Sequence, residues 1–295
     1  MANFYIENER IKLGINLKGG SLISFVDKKR GEEMLWQADP AFWPNHDVVI
    51  FPIVGLHRTP YEFEGKEYHI ETMHGFTRNQ EFAVIEDSGD AVLLEISATE
   101  ETLKEYPFNF KLGLKYELLG AGYKLTYIVT SLDGKDMPFY IGGHAGLNVP
   151  KGDTFAIFEQ ENDFYHYPQT NGPSFDEAEL VFENTKEIFL DKNYYVEKDP
   201  KSGELDFSKG CMLERNFKGG CTLKRADGIS YKVDIGDCSL LTLWGFKDGG
   251  DYFCVEPWWG IKQTESMGRD LFKLPKINIA RSEPKEYYYS IEVVE

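Results

Sequence analysis

Cysteine is scarce in this chain: Cys211, Cys221, Cys238 and Cys254 are the only four among 295 residues, and no two form a C-x-x-C pair. That spacing excludes a zinc ribbon and a thioredoxin-like redox motif, and the thiols read as reduced. Long apolar runs are missing, so no stretch reaches the length of a membrane span. The start Met1-Ala2-Asn3-Phe4-Tyr5-Ile6-Glu7 has neither a basic nor an apolar signal region, which leaves a cytoplasmic location as the expectation. Positive charge is short as well, with 32 Lys and Arg against 49 Asp and Glu and a net charge of −17. Such a field repels polyanions, so nucleic acid and anionic membranes are excluded as partners. A phosphorylated ligand would need a local basic cluster to overcome it. Nucleotide and serine-hydrolase signatures are absent: there is no G-x-x-x-x-G-K-[ST], no strand-anchored G-x-G-x-x-G and no G-x-S-x-G. No H-x-H or H-E-x-x-H occurs, and His69 and His74 stand five apart, so no metal is expected.

Helical periodicity is also rare. The best candidate is Thr99 to Glu105, with Ser97 and Glu100 spaced as a capping box and Pro107 as a stop. What fills the chain instead is strand pattern, supported by an aromatic content of 15%. Arg10 to Asn16, Ser21 to Asp27, Val48 to Val54, Ala91 to Ser97, Ile229 to Ile235, Leu240 to Phe246 and Tyr287 to Val294 are short β-like runs between Gly, Pro and Asp clusters. Phe110 to Leu118 and Tyr123 to Val129 alternate apolar and polar residues around Leu119-Gly120-Ala121-Gly122, which predicts a hairpin with one wet face. Strands without intervening long helices predict an all-β, antiparallel sandwich or barrel rather than a βαβ sheet. No linker divides residues 1–295, so a single domain is expected, with Asp191 to Gly210 as a surface excursion.

Four stretches carry chemistry. Tyr252-Phe-Cys-Val-Glu256-Pro-Trp258-Trp259-Gly260 is an apolar strand with a carboxylate beside two indoles, and Pro257 predicts that regular pairing stops there, leaving Glu256 at a strand end. Partial desolvation raises the pKa of such a carboxylate and makes it a better base toward hydroxyls. Met73-His74-Gly75-Phe76-Thr77-Arg78 places a histidine at a sharp glycine turn. Met137-Pro-Phe-Tyr-Ile-Gly-Gly-His144-Ala145-Gly146 delivers a histidine among small residues, and Phe51-Pro-Ile-Val-Gly55-Leu56-His57-Arg58 runs from an apolar stretch into a polar loop. Each has a plain alternative: satisfied core histidines, surface or ion-paired arginines, and for Cys254 a buried structural thiol rather than a Cys-His nucleophile.

Taken together, these stretches and their order, with Tyr106-Pro107-Phe108 between them, resemble the aldose 1-epimerases, or galactose mutarotases, and their hexose-6-phosphate relatives over nearly the whole chain. The resemblance implies a large antiparallel β-sandwich of the galactose mutarotase-like kind, a small-molecule sugar substrate and no cofactor; a monomer or homodimer is expected. It implies that His144 and Glu256 are the catalytic acid and base, and that His74, Arg78, Arg58 and Trp258 hold the sugar. Interconverting anomers requires a proton taken from the anomeric hydroxyl and one delivered to the ring oxygen, so one base and one acid suffice. Mutual attraction within the pair is expected to raise the His144 pKa, and a bell-shaped pH dependence follows. A free aldohexose is the expected substrate, with a sugar phosphate or a non-catalytic sugar-binding role as alternatives. The chain departs from the family pattern at Leu56, where many relatives have arginine, at Gly210, where they have a substrate-holding aspartate with Asp206 here as the nearest carboxylate, and at Ala145 and Gly146, where a proline and an aromatic often follow the histidine.

Overall fold

The alternating runs form strands that pair antiparallel throughout the large sheet. The computed structural model describes residues 3–57, 59–150, 153–166, 179–190, 197–198, 205–206, 211–214, 216–238, 240–245, 250–261 and 267–295. Among these the architecture is all-β. Fourteen strands make one sheet, whose path runs from Ile141–Gly142 through Tyr252–Trp259 and Leu240–Trp244 to Gly122–Ser131, Phe110–Leu118, Ala91–Ser97 and Ala83–Asp87. An N-terminal sheet of four strands, Asn3–Glu7, Ile11–Asn16, Leu22–Asp27 and Glu32–Glu33, packs against it. The rings of Phe25 and Tyr123 meet edge-on at 5.3 Å, and the Tyr116 hydroxyl donates to the Gly20 carbonyl at 2.8 Å. Ile11, Leu13, Leu22 and Phe25 share one buried core with Leu112, Leu114, Leu125 and Tyr127, so the two sheets bury their apolar faces together. Among the described residues no helix is long and apolar enough to cross a membrane.

The expected hairpin is present, with Phe110–Leu118 paired to Gly122–Ser131. The expected helix is also present as Glu100–Glu105, but its cap is Thr99, whose side chain accepts from the Thr102 N–H while the Thr102 hydroxyl accepts from the Thr99 N–H. Ser97 is instead the last residue of its strand, so the Ser97/Glu100 box does not form. Val48 to Val54 is not a strand either. Apart from one bridge at Ile50, it follows an irregular path containing a cis peptide at Phe51–Pro52. Within Asp191 to Gly210, the short strands Glu197–Lys198 and Leu205–Asp206 pair with each other, and Gly210 lies outside the described residues.

Candidate active site

The Tyr252–Trp259 strand is buried along all of its length. Contrary to expectation, Pro257 does not end it: Pro257 lies opposite Leu241, and its carbonyl accepts the Gly143 N–H at 3.1 Å. Here the missing N–H is tolerated because a segment of only two residues, Ile141–Gly142, flanks this part of the strand. Glu256 therefore sits inside a regular strand, and period-two alternation puts Tyr252, Cys254, Glu256 and Trp258 on one face. Trp259 faces the other way, its indole N–H donating to Asp237 at 2.7 Å and its ring meeting Tyr287. Of the two adjacent indoles, Trp258 is the one beside the carboxylate.

Register then places the partners of Glu256. On one side Thr242 is directly opposite it. On the other, Gly142 pairs with Trp258 and Ala145 with Val255, so His144, between those two short strands, faces Glu256. The His144 Nε2 and a Glu256 carboxylate oxygen are 3.4 Å apart. Both residues are buried, His144 at 7% and Glu256 at 2% exposure, so the pair is enclosed by protein rather than bathed in solvent. Burial pushes the Glu256 carboxyl well above the usual range, as expected from its indole neighbours, with the nearby Trp258 N–H opposing the rise. Burial also pushes His144 down, to about 3, and the positive charge of Arg78 pushes the same way. The expectation that attraction within the pair raises the histidine is thus overturned. Desolvation disfavours the charged form of both groups.

His74 joins them, its ring 5.4 Å from His144 and 6.3 Å from Trp258. Its backbone is left-handed, with φ of 64°, and Gly75 follows at 82°. Reciprocal bonds lock this turn onto the Phe51–Gly55 stretch: the His74 N–H donates to the Gly55 carbonyl at 2.7 Å, and the Gly55 N–H to the His74 Nδ1 at 3.2 Å. With Nδ1 accepting, a neutral His74 carries its proton on Nε2. A Cβ on Gly75 would lie 1.9 Å from the Phe51 carbonyl oxygen, so only glycine fits. Gly75→Ala is expected to destabilise the protein by at least about 2 kcal/mol, read in urea unfolding. Arg78 follows in the 3-10 turn Thr77–Asn79, anchored where the Thr77 hydroxyl donates to the Val49 carbonyl at 2.5 Å. Arg58 lies outside the described residues.

Trp43, Trp244 and Asp47 escaped the sequence reading, whereas Cys254 is the buried thiol it weighed. Trp43 stacks on His144 at 4.8 Å and 21°, and Trp244 meets the same imidazole edge-on at 5.5 Å. Cys254 is beside the pair, and its sulfur and the donor atoms of His144 and Glu256 all lie within 4.8 Å of one another, the one such group of potential metal donors among the described residues. Burial raises the Cys254 thiol well above its usual range, so it is a poor nucleophile. Asp47 lies behind the histidine. Its segment runs alongside the His144 segment through bonds from Gly146 to the His46 carbonyl and between Ile50 and Gly142, and its carboxylate accepts the Leu22 N–H at 3.1 Å. Around the site the Arg78 Nε, His144 Nδ1 and Thr242 Oγ1 are buried without a hydrogen-bond partner. Most of these are donors or can be, which is what a polyhydroxyl ligand satisfies.

The family model described as aldose 1-epimerase matches residues 4–263. The plasmid-encoded protein LacX of Lactococcus lactis subsp. lactis is 30% identical over 286 residues, 92% of each chain. Among solved structures, a galactose mutarotase related enzyme from Lactobacillus acidophilus is similar with a TM-score of 0.88 at 24% identity, over 100% of this chain and 98% of that one. A galactose mutarotase-like protein from Lactobacillus casei ATCC 334 has a TM-score of 0.84 at 24% identity, over 99% and 100% of the two chains.

Proposed function

The chain belongs to the aldose 1-epimerase family, and from that premise we propose that it interconverts the α and β anomers of a free aldohexose, with Glu256 and His144 carrying the protons. The observation that supports this reading most is the buried contact of 3.4 Å between the two groups. The pair holds one transferable proton. With that proton on His144, Glu256 takes the anomeric hydroxyl proton while His144 donates to the ring oxygen; the ring opens, the C1–C2 bond turns, and closure reverses both transfers.

Burial gives this exchange a direction. Opening the ring discharges the ion pair and leaves a neutral carboxyl and a neutral imidazole, the arrangement that the desolvated site favours. The enclosure that makes the charged pair costly therefore stabilises the open-chain intermediate. Arg78, His74 and Trp258 border the same space and would hold the hydroxyls, Arg78 through fixed donors; an Arg58 contact is part of the proposal without a position in the structure.

The pH dependence follows from the shifts. Activity needs the singly protonated pair, whose acid limit moves down with His144 toward about 3 and whose alkaline limit moves up with Glu256. The bell expected from sequence becomes a plateau. In polarimetry or NMR exchange on fresh α-glucose and α-galactose, kcat/KM is expected to stay level between roughly pH 5 and pH 7. An inflection near the ordinary histidine value would rule out this protonation scheme, and no acceleration of exchange for any aldose would rule out the function. A sugar phosphate as substrate is disfavoured by the net charge of −17.

A further inference from the structure

Glu256 lies in a row across three adjacent strand segments, with His144 on one side and Thr242 on the other. Residues directly opposed on antiparallel strands put their side chains on the same face, with Cβ atoms about 4.5–5.5 Å apart. The Thr242 side chain is thus beside the carboxyl group. It is buried, and its Oγ1 has no hydrogen-bond partner. A buried hydroxyl without a partner is destabilising, and valine would fill the same space without that cost. One Glu256 oxygen is turned toward His144, and beside the nearby Trp258 N–H the carboxylate keeps acceptor sites for a donor on the opposite side.

We infer that Thr242 is a positioning residue of the acid–base centre, its hydroxyl donating to the Glu256 carboxylate whenever that group is ionised. This rests on the proposed role of Glu256 in anomer exchange. The bond is made in the ion-pair form that starts ring opening, and it is released when the carboxyl takes the sugar proton. It therefore offsets part of the desolvation that disfavours the charged form and makes the productive tautomer more populated. The groups that also bear on Glu256 are His144 from the neighbouring segment and Cys254 and Trp258 on its own strand, while the charge of Arg78 from the 3-10 turn bears on His144.

Thr242→Val and Thr242→Ser test this. Thr242→Val is expected to lower kcat about tenfold with KM within about twofold, while its Tm is equal to or about 1–2 °C above wild type. Thr242→Ser is expected to recover most of the loss. In the sugar-free protein, the infrared stretching band of the protonated Glu256 carboxyl, assigned by its absence from Glu256→Gln, is expected to persist to higher pH in Thr242→Val than in wild type. Wild-type kcat with an unmoved band would overturn the inference. So would a raised KM with unchanged kcat and an unmoved band, because Thr242 would then hold the sugar. A wild type inactive on every aldose overturns the proposed function instead, and the band alone then decides the role of Thr242.

Discussion

Glu256→Gln is expected to lower kcat for anomer exchange by about 10²–10⁴-fold, the range of one positioned proton-transfer group. Glutamine keeps the shape of the side chain and its place opposite His144, but it cannot receive the anomeric proton. KM is expected to change little, since the proposed hydroxyl contacts from His74, Arg78 and Trp258 remain. His144→Asn is expected to fall into the same range, and the double variant to be no worse than the poorer single one, because the two groups act on one shared proton. Unfolding does not account for the loss. A buried carboxyl that favours its neutral form loses little on becoming an amide, so the Tm of Glu256→Gln is expected to match or exceed that of wild type. Polarimetry gives the rates, and quenching of tryptophan fluorescence by sugar reports binding through Trp43 and Trp258. A variant that keeps a tenth of the wild-type kcat would remove Glu256 from the reaction.

Much of the candidate site was legible because its signals are local. A carboxylate among apolar and indole neighbours marks Glu256, and a histidine before a glycine marks the left-handed turn at His74. The link between Glu256 and His144 came from the family resemblance, since the two are more than a hundred positions apart. What stayed hidden depends on which strand lies next to which. Alternation shows that Thr242 and Trp244 share a face, but only the register opposite Glu256 and Cys254 makes them part of the centre. Trp43 lies outside any strand, where no periodicity points to a target. Pro257 misled because a missing donor is harmful only where a strand partner needs it. The protonation of His144 misled for an energetic reason: pairwise attraction is visible from residue types, whereas the desolvation that outweighs it requires the burial of both groups to be known.

Asp47→Asn is expected to stabilise the protein most at neutral and alkaline pH, and least in acid. Burial raises the Asp47 carboxyl from 3.8 to about 6, against the lowering effect of backbone N–H groups at Leu22, Val48 and His144. One of its oxygens has no hydrogen-bond partner, which is consistent with a group that gains little from being charged. The folded pKa lies above the unfolded one, so the folded state binds the proton more tightly. Stability from this group is therefore complete below the unfolded value and declines as pH rises, levelling off once pH passes the folded value of about 6. The full decline is about 3 kcal/mol, of which roughly half falls between pH 5 and pH 8. Asparagine keeps an acceptor for the Leu22 N–H and removes the ionisation, so the advantage of the variant in urea unfolding is expected to grow by about 1.5 kcal/mol from pH 5 to pH 8. An advantage that is constant across this range would mean that Asp47 titrates normally, and one that shrinks with pH would mean that its charge stabilises the fold.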